Sequence, residues 1–147
     1  MDPQKRNKFV LAKIAQVDAP NFSMNWGDLK AYLPINDISV KRVYYIDSAK
    51  NQMVTGQHCH KDNEEEVFLV LAGSATALID EDGNGKKEIA IEKNSIMWVP
   101  RMVWHGFTNL SADFVIMALT TTNYDPERRG YVTDYEEFKK MVKEDKK

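Results

Sequence analysis

Eight short runs of aliphatic, β-branched and aromatic residues follow one another between Val40 and Thr121, and turn residues separate them. They are Val40–Ile46, Gln52–His60, Val67–Leu71, Ser74–Ile79, Lys87–Ile91, Ser95–Val99, His105–Leu110 and Phe114–Thr121. Val, Ile, Thr and aromatic side chains favour a pleated backbone. Asp82-Gly83-Asn84-Gly85, Lys93-Asn94 and Ser111-Ala112 supply turn chemistry between the runs. Closely spaced strands without intervening helices leave a sandwich or a closed barrel as the architecture. The barrel is expected over about 36–122, within a single domain of 1–147. One helix is expected after it, over about 134–143. Thr133 and Glu136 have capping-box spacing, and Tyr135, Phe138 and Met141 or Val142 recur at helical intervals.

The charge balance removes some classes of function. Lys and Arg number 20 against 22 Asp and Glu, and the net charge is -2. No basic excess exists to neutralise phosphates, so a nucleic-acid partner is not expected. The first residues, MDPQKRNKFVLAKIAQ, are charged and lack a long apolar core. Neither a signal peptide nor a membrane span is expected there, and the expected location is the cytoplasm. A lone cysteine, Cys59, rules out an intrachain disulfide.

Only three histidines occur in the chain: His58, His60 and His105. In a strand, alternate residues share a face, so His58 and His60 are expected to point together and Cys59 away from them. Two adjacent buried imidazoles are costly unless they hold a metal, a proton or a substrate. Glu66 shares a face with Phe68 and Val70 and is expected to point inward. Glu64 and Glu65 read as solvated turn residues, although a one-residue shift of register would bring Glu65 in. His105 follows the turn at Pro100. Trp98, Trp104 and Tyr44 or Tyr45 are candidate flat walls for a sugar or base.

These residues carry a resemblance. GQHCHK, Glu66 and Gly73 resemble the first cupin motif, and Pro100, His105 and Asn109 resemble the second. The spacer from His60 to Glu66 is longer than usual, and Met102 stands where the second motif has glycine. KRVYYI, GQHCHK, VLAGS, VPRMVWHGFTNLS, TNYD and YVTDYEEF, in that order, resemble the sugar 3,4-ketoisomerases, or WxcM-like cupins. The resemblance implies an all-β double-stranded β-helix (jelly-roll) barrel with a C-terminal helix. It implies a metal-free shift of a carbonyl from C4 to C3 of a dTDP-4-keto-6-deoxyhexose, with no cofactor. It places His58 and His60 in the catalytic pair, with His60 as the expected base. Tyr45, Arg101, Trp104 and His105 are the expected substrate-binding residues. The expected partner is a sugar nucleotide, and the expected assembly is a homodimer.

The chain departs from the family's pattern at charged positions. Thr55, Trp26 and Thr133 stand where the family carries arginines, and Arg42, Arg101, Arg128 and Arg129 are candidates to replace them. Glu66 stands where the family tends to have glutamine. His58, His60, Glu66 and His105 then form a set that suits a divalent transition metal. A metal-dependent cupin enzyme is accordingly the alternative reading, with a non-catalytic small-molecule-binding cupin as the third.

Overall fold

The computed structural model describes residues 9–13, 33, 39–47 and 54–145. Among the described residues, ten strands precede one helix. They are β1 (Val10–Lys13), β2 (Arg42–Asp47), β3 (Val54–His60), β4 (Glu66–Ala72), β5 (Ser74–Asp80), β6 (Lys87–Glu92), β7 (Ser95–Val99), β8 (Trp104–Thr108), β9 (Val115–Thr120) and β10 (Tyr131–Val132). The helix, α1, is Tyr135–Asp145. Two five-stranded sheets run β1-β7-β4-β9-β2 and β10-β3-β8-β5-β6, and every pairing is antiparallel. This is the expected β-barrel with a C-terminal helix. The eight runs each become a strand, with ends shifted by a residue or two. The first residues of the Gln52–His60 run lie outside the described residues, as does Trp26.

Alternation decides which side chains fill the barrel. On β9, Ile116, Ala118 and Thr120 are buried while Val115, Met117 and Leu119 are partly exposed. The inward residues of β4, β5, β7, β8 and β9, among them Phe68, Val70, Ile79, Met97, Phe107 and Ile116, pack into one core. Its burial drives closure of the two sheets. A second cluster lies on the back of β3 and β8. There Cys59, Met102, Trp104 and Val132 meet Phe138 and Val142 of α1.

Three local expectations need correction. Asp134, not Thr133, caps α1: its Oδ1 accepts the backbone N–H of Glu136 at 2.8 Å and of Glu137 at 3.3 Å. A carboxylate also complements the helix dipole, which a hydroxyl does not. Strands β1 and β10 were not among the sequence runs, since neither offers enough residues to show a period. β8 begins at Trp104 rather than His105, which fixes the parity of both residues.

Candidate active site

The site begins with a break in β3. Gly56 and Gln57 both adopt left-handed backbone conformations, with φ of 82° and 67°, and the β3–β8 register shifts between Gly56 and His58. Such a bulge re-aims the residues that follow it. A Cβ on Gly56 would lie 2.9 Å from the Gly106 Cα, so glycine is required for the approach of the two strands as well as for the turn. Beyond the bulge, alternation is regular. His58 and His60 face inward, and Cys59 is fully buried on the opposite side. His105 lies directly across from His58 in the register of β8.

The imidazoles form one cluster. His58 and His60 approach Nε2 to Nε2 at 3.3 Å, and the His58 and His105 rings are 4.6 Å apart. Glu66, at the start of β4, places Oε1 2.6 Å from His60 Nε2. Glu64 closes on the other nitrogen, Nδ1. These are close ion pairs without in-line hydrogen-bond alignment. Glu64 is also held by Thr120 at 2.8 Å, Thr122 at 2.5 Å and Arg42 at 3.0 Å. The Tyr44 hydroxyl donates to Glu66. Tyr131 of β10 stacks on His58 with centroids 4.6 Å apart and planes at 16°, and meets His60 edge-on.

The surroundings set each proton. Burial works against a charged His60, but pairing with Glu64 and Glu66 outweighs it and raises its pKa to about 9. His58 is pushed down to about 2 by burial and then by its imidazole neighbours. Burial likewise lowers His105. The His105 Nδ1 lies 3.0 Å from the Val103 carbonyl. A carbonyl only accepts, so Nδ1 carries the hydrogen and Nε2 offers a lone pair. Burial opposes the Glu64 carboxylate, yet His60 and the two threonines hold it down to about 2. The cluster therefore stores one proton on His60, between two carboxylates, and leaves the His58 and His105 rings neutral.

A cavity of about 390 Å³ opens onto this cluster, lined by Arg42, Tyr44, His58, Phe68, His105 and Tyr131. A smaller lobe of about 160 Å³ shares Arg42 and Tyr131 with it and reaches His60 and Glu64. A larger groove, about 640 Å³, lies between β1 and the β5–β6 hairpin and holds none of the imidazoles.

Several expected residues lie elsewhere. Tyr45 is 69% exposed on the outer face of β2, and Tyr44 is the tyrosine that faces the cavity. Trp104 points away from His105, as adjacent strand residues must, and is buried against α1. Arg101 sits outside the cavity, where it donates to the Lys61 carbonyl at 3.3 Å and pairs with Asp145 at 3.6 Å. Glu64 is not a solvated turn residue, since it is buried against His60. The long spacer after His60 gives the chain room to fold Glu64 back. Met102 occupies the motif's glycine position with φ 60°, so the left-handed turn persists without glycine, and its side chain packs under α1.

Donor atoms of His58, His60, Glu66 and His105 all lie within 4.8 Å of one another, a grouping that fits one transition-metal ion by residue type. In this arrangement, however, each nitrogen of His60 faces a carboxylate. A doubly protonated imidazole has no lone pair to give a metal.

A barrel with inward imidazoles on β3 and β8 and a carboxylate on β4 is a cupin-type site. A family model described as "FdtA: WxcM-like, C-terminal" matches residues 8–143. The TDP-4-oxo-6-deoxy-alpha-D-glucose-3,4-oxoisomerase of Aneurinibacillus thermoaerophilus is 37% identical over 105 residues, covering 71% of this chain and 73% of that one. The structure of WlaRA, a TDP-fucose-3,4-ketoisomerase from Campylobacter jejuni, superposes with a TM-score of 0.71 at 28% identity, covering 92% of this chain and 96% of that one. A 3,4-ketoisomerase from Helicobacter canadensis shares the fold, with a TM-score of 0.74 at 22% identity over 94% of this chain and 99% of that one. This chain belongs to the FdtA, WxcM-like family.

Proposed function

We propose that this protein is a TDP-sugar 3,4-ketoisomerase, moving the carbonyl of a TDP-4-keto-6-deoxyhexose from C4 to C3. Its family and its relatives' activities support the substrate class. The observation that carries the chemistry is the pair of Nε2 atoms, 3.3 Å apart, on a neutral His58 and a cationic His60.

A base must begin without its proton, which favours His58 over His60 as the acceptor. Neutral His58 removes the C3 hydrogen as a proton. The C3–H electrons form the C3=C4 bond, and the carbonyl electrons move onto O4. His60 gives its proton to O4, which completes a 3,4-enediol. In the second half His60 recovers a proton from O3, the C3=O bond forms, and His58 returns its proton to C4. One hydrogen has moved from C3 to C4 and one from O3 to O4, and both imidazoles end as they began. Glu64 and Glu66 stabilise the imidazolium between turnovers, and Tyr131 fixes the His58 ring by stacking.

The cycle uses His60 as its proton donor, whereas a metal-dependent reaction would instead take a neutral His60 as a ligand beside His58, Glu66 and His105. A ketoisomerase assay on TDP-4-keto-6-deoxyglucose in D₂O, followed by NMR, tests the proposal. The expected result is the 3-keto product, with deuterium at C4 in proportion to the exchange of the His58 proton with solvent before it is returned. No 3-keto product from active-purity protein would overturn it.

The assembly we propose is a homodimer. Val43 and Tyr45 on β2 are 60% and 69% exposed, and Leu71 on β4 is 42% exposed. With Met117 and Leu119 of β9 between them, they form an apolar patch on the outer sheet face. Patches of this kind on soluble proteins mark association surfaces.

A further inference from the structure

Resting on the sugar-nucleotide reading above, we propose that Arg128 is the residue with which this chain holds the diphosphate of its substrate. Thr55, which stands at one of the family's arginine positions, lines the cavity and leaves that wall neutral. Thr133, at another, is exposed between β10 and α1. A diphosphate still needs a cation with a planar pair of donors.

Three of the four candidate arginines are committed elsewhere. Arg101 is tied to Lys61 and Asp145 outside the cavity. Arg129 donates to Asp125 at 3.0 Å and lies near Glu127. Arg42 lines the cavity but pairs with Glu64 at 3.0 Å and is largely buried. Arg128 lines the same cavity, is exposed, and pairs with no carboxylate among the described residues.

Its placement is built rather than incidental. Arg128 has φ 51°, a conformation that a side chain other than glycine rarely adopts. Two backbone bonds enforce it: Arg128 N donates to the Asp125 carbonyl at 3.0 Å, and Tyr131 N donates to the Arg128 carbonyl at 3.0 Å. The Asp125 side chain holds the turn by accepting from Glu127 N at 3.0 Å and Arg129 N at 3.2 Å. The same carboxylate draws the Arg129 side chain aside. The Arg128 guanidinium is left 5.6 Å over the ring of Tyr131, which also stacks on His58. Arg128, Tyr131 and His58 thus form a column from the mouth of the cavity to the base. A sugar placed against His58 would leave its phosphates to the rest of this cavity of about 390 Å³, whose lining includes the exposed Arg128.

The test measures TDP and thymidine binding by isothermal titration to wild type, Arg128→Gln and Arg128→Lys, with KM and kcat for the TDP-4-keto sugar alongside. Loss of a charge-assisted contact is expected to weaken TDP about tenfold or more in Arg128→Gln. Thymidine binding should not change. Lysine should recover part of the loss, since it restores charge without the fork. KM should rise with kcat nearly constant, because the contact is made equally before and during reaction. TDP affinity and KM within about twofold of wild type in Arg128→Gln would overturn the assignment and leave the reaction standing. Wild type that fails to isomerise the sugar, yet loses TDP on Arg128→Gln, would overturn the reaction and leave the anchor standing. Wild type that binds no TDP overturns both.

Discussion

His58 and His60 present Nε2 to Nε2 at 3.3 Å, and only one of the two is protonated. Two imidazolium ions at that distance would repel, so the proton settles where the carboxylates are. The proposed division of labour follows from that choice. His58→Asn should abolish both turnover and deuterium exchange at C3. His60→Asn should lower turnover by about 10²–10⁴-fold while leaving C3 exchange detectable. Exchange that survives in His58→Asn and vanishes in His60→Asn would return the role of base to His60.

The same proton makes stability depend on pH. The folded pKa of His60 is about 9 against 6.5 for a free histidine. Its pairing therefore contributes fully below about 6.5 and is lost as pH rises through 9. Glu64, held down to about 2 from 4.5, contributes above 4.5 and loses its share as pH falls through 2. These are two ends of one interaction and are not added. Below about 6.5 the unfolded chain protonates His58 and His105 while the folded chain keeps them neutral. Urea unfolding should therefore show a maximum near that pH, with an acid-side fall from those two rings and, from His60, a decline on the alkaline side. Glu64→Gln should cost about 1–3 kcal/mol at pH 7 and flatten that decline, without removing it, because Glu66 remains. An unchanged alkaline slope in the variant would remove Glu64 from the pair.

Metal content separates the leading chemistry from its alternative. The four donors are close enough for an ion, but His60 must lose its proton to become a ligand. Incubation with a chelator is expected to leave turnover unchanged. Stoichiometric transition metal, with activity lost on chelation and restored on re-addition, would establish the metal-dependent reading instead.

The apolar patch on β2 and β9 gives the assembly a direct test. Tyr45→Lys adds a charge to the patch, on a side chain already 69% exposed in one protomer. The folded monomer should tolerate it, while sedimentation velocity should show the dimer dissociating. A dimer equally stable in the variant would move the interface elsewhere.

What could be read from the sequence followed period-two alternation. It put His58 and His60 on one face, Cys59 on the other, and Glu66 in line with Phe68 and Val70. Applied to β8, the same rule separates Trp104 from His105, and the expectation of an aromatic wall at Trp104 overlooked it. On β2 both parities carry a tyrosine, so composition could not choose Tyr44 over Tyr45. Glu64 and Tyr131 left no periodic signal at all. Glu64 reaches His60 because the 61–65 turn folds back, and Tyr131 belongs to a two-residue strand whose place depends on pairing with β3. Side chains brought in by turns and long-range pairing must be found in three dimensions.

Cys59 sits between the two proposed catalytic histidines, yet it packs on the far side with Phe138 and Val142 of α1. One strand thus serves as a partition, chemistry on one wall and a helical splint on the other. Whatever loosens α1 slackens the backbone that sets the angle between the two imidazoles. Damage at the C-terminal helix would consequently register as a slower enzyme before it registered as an unfolded one, although no residue of α1 lines the cavity.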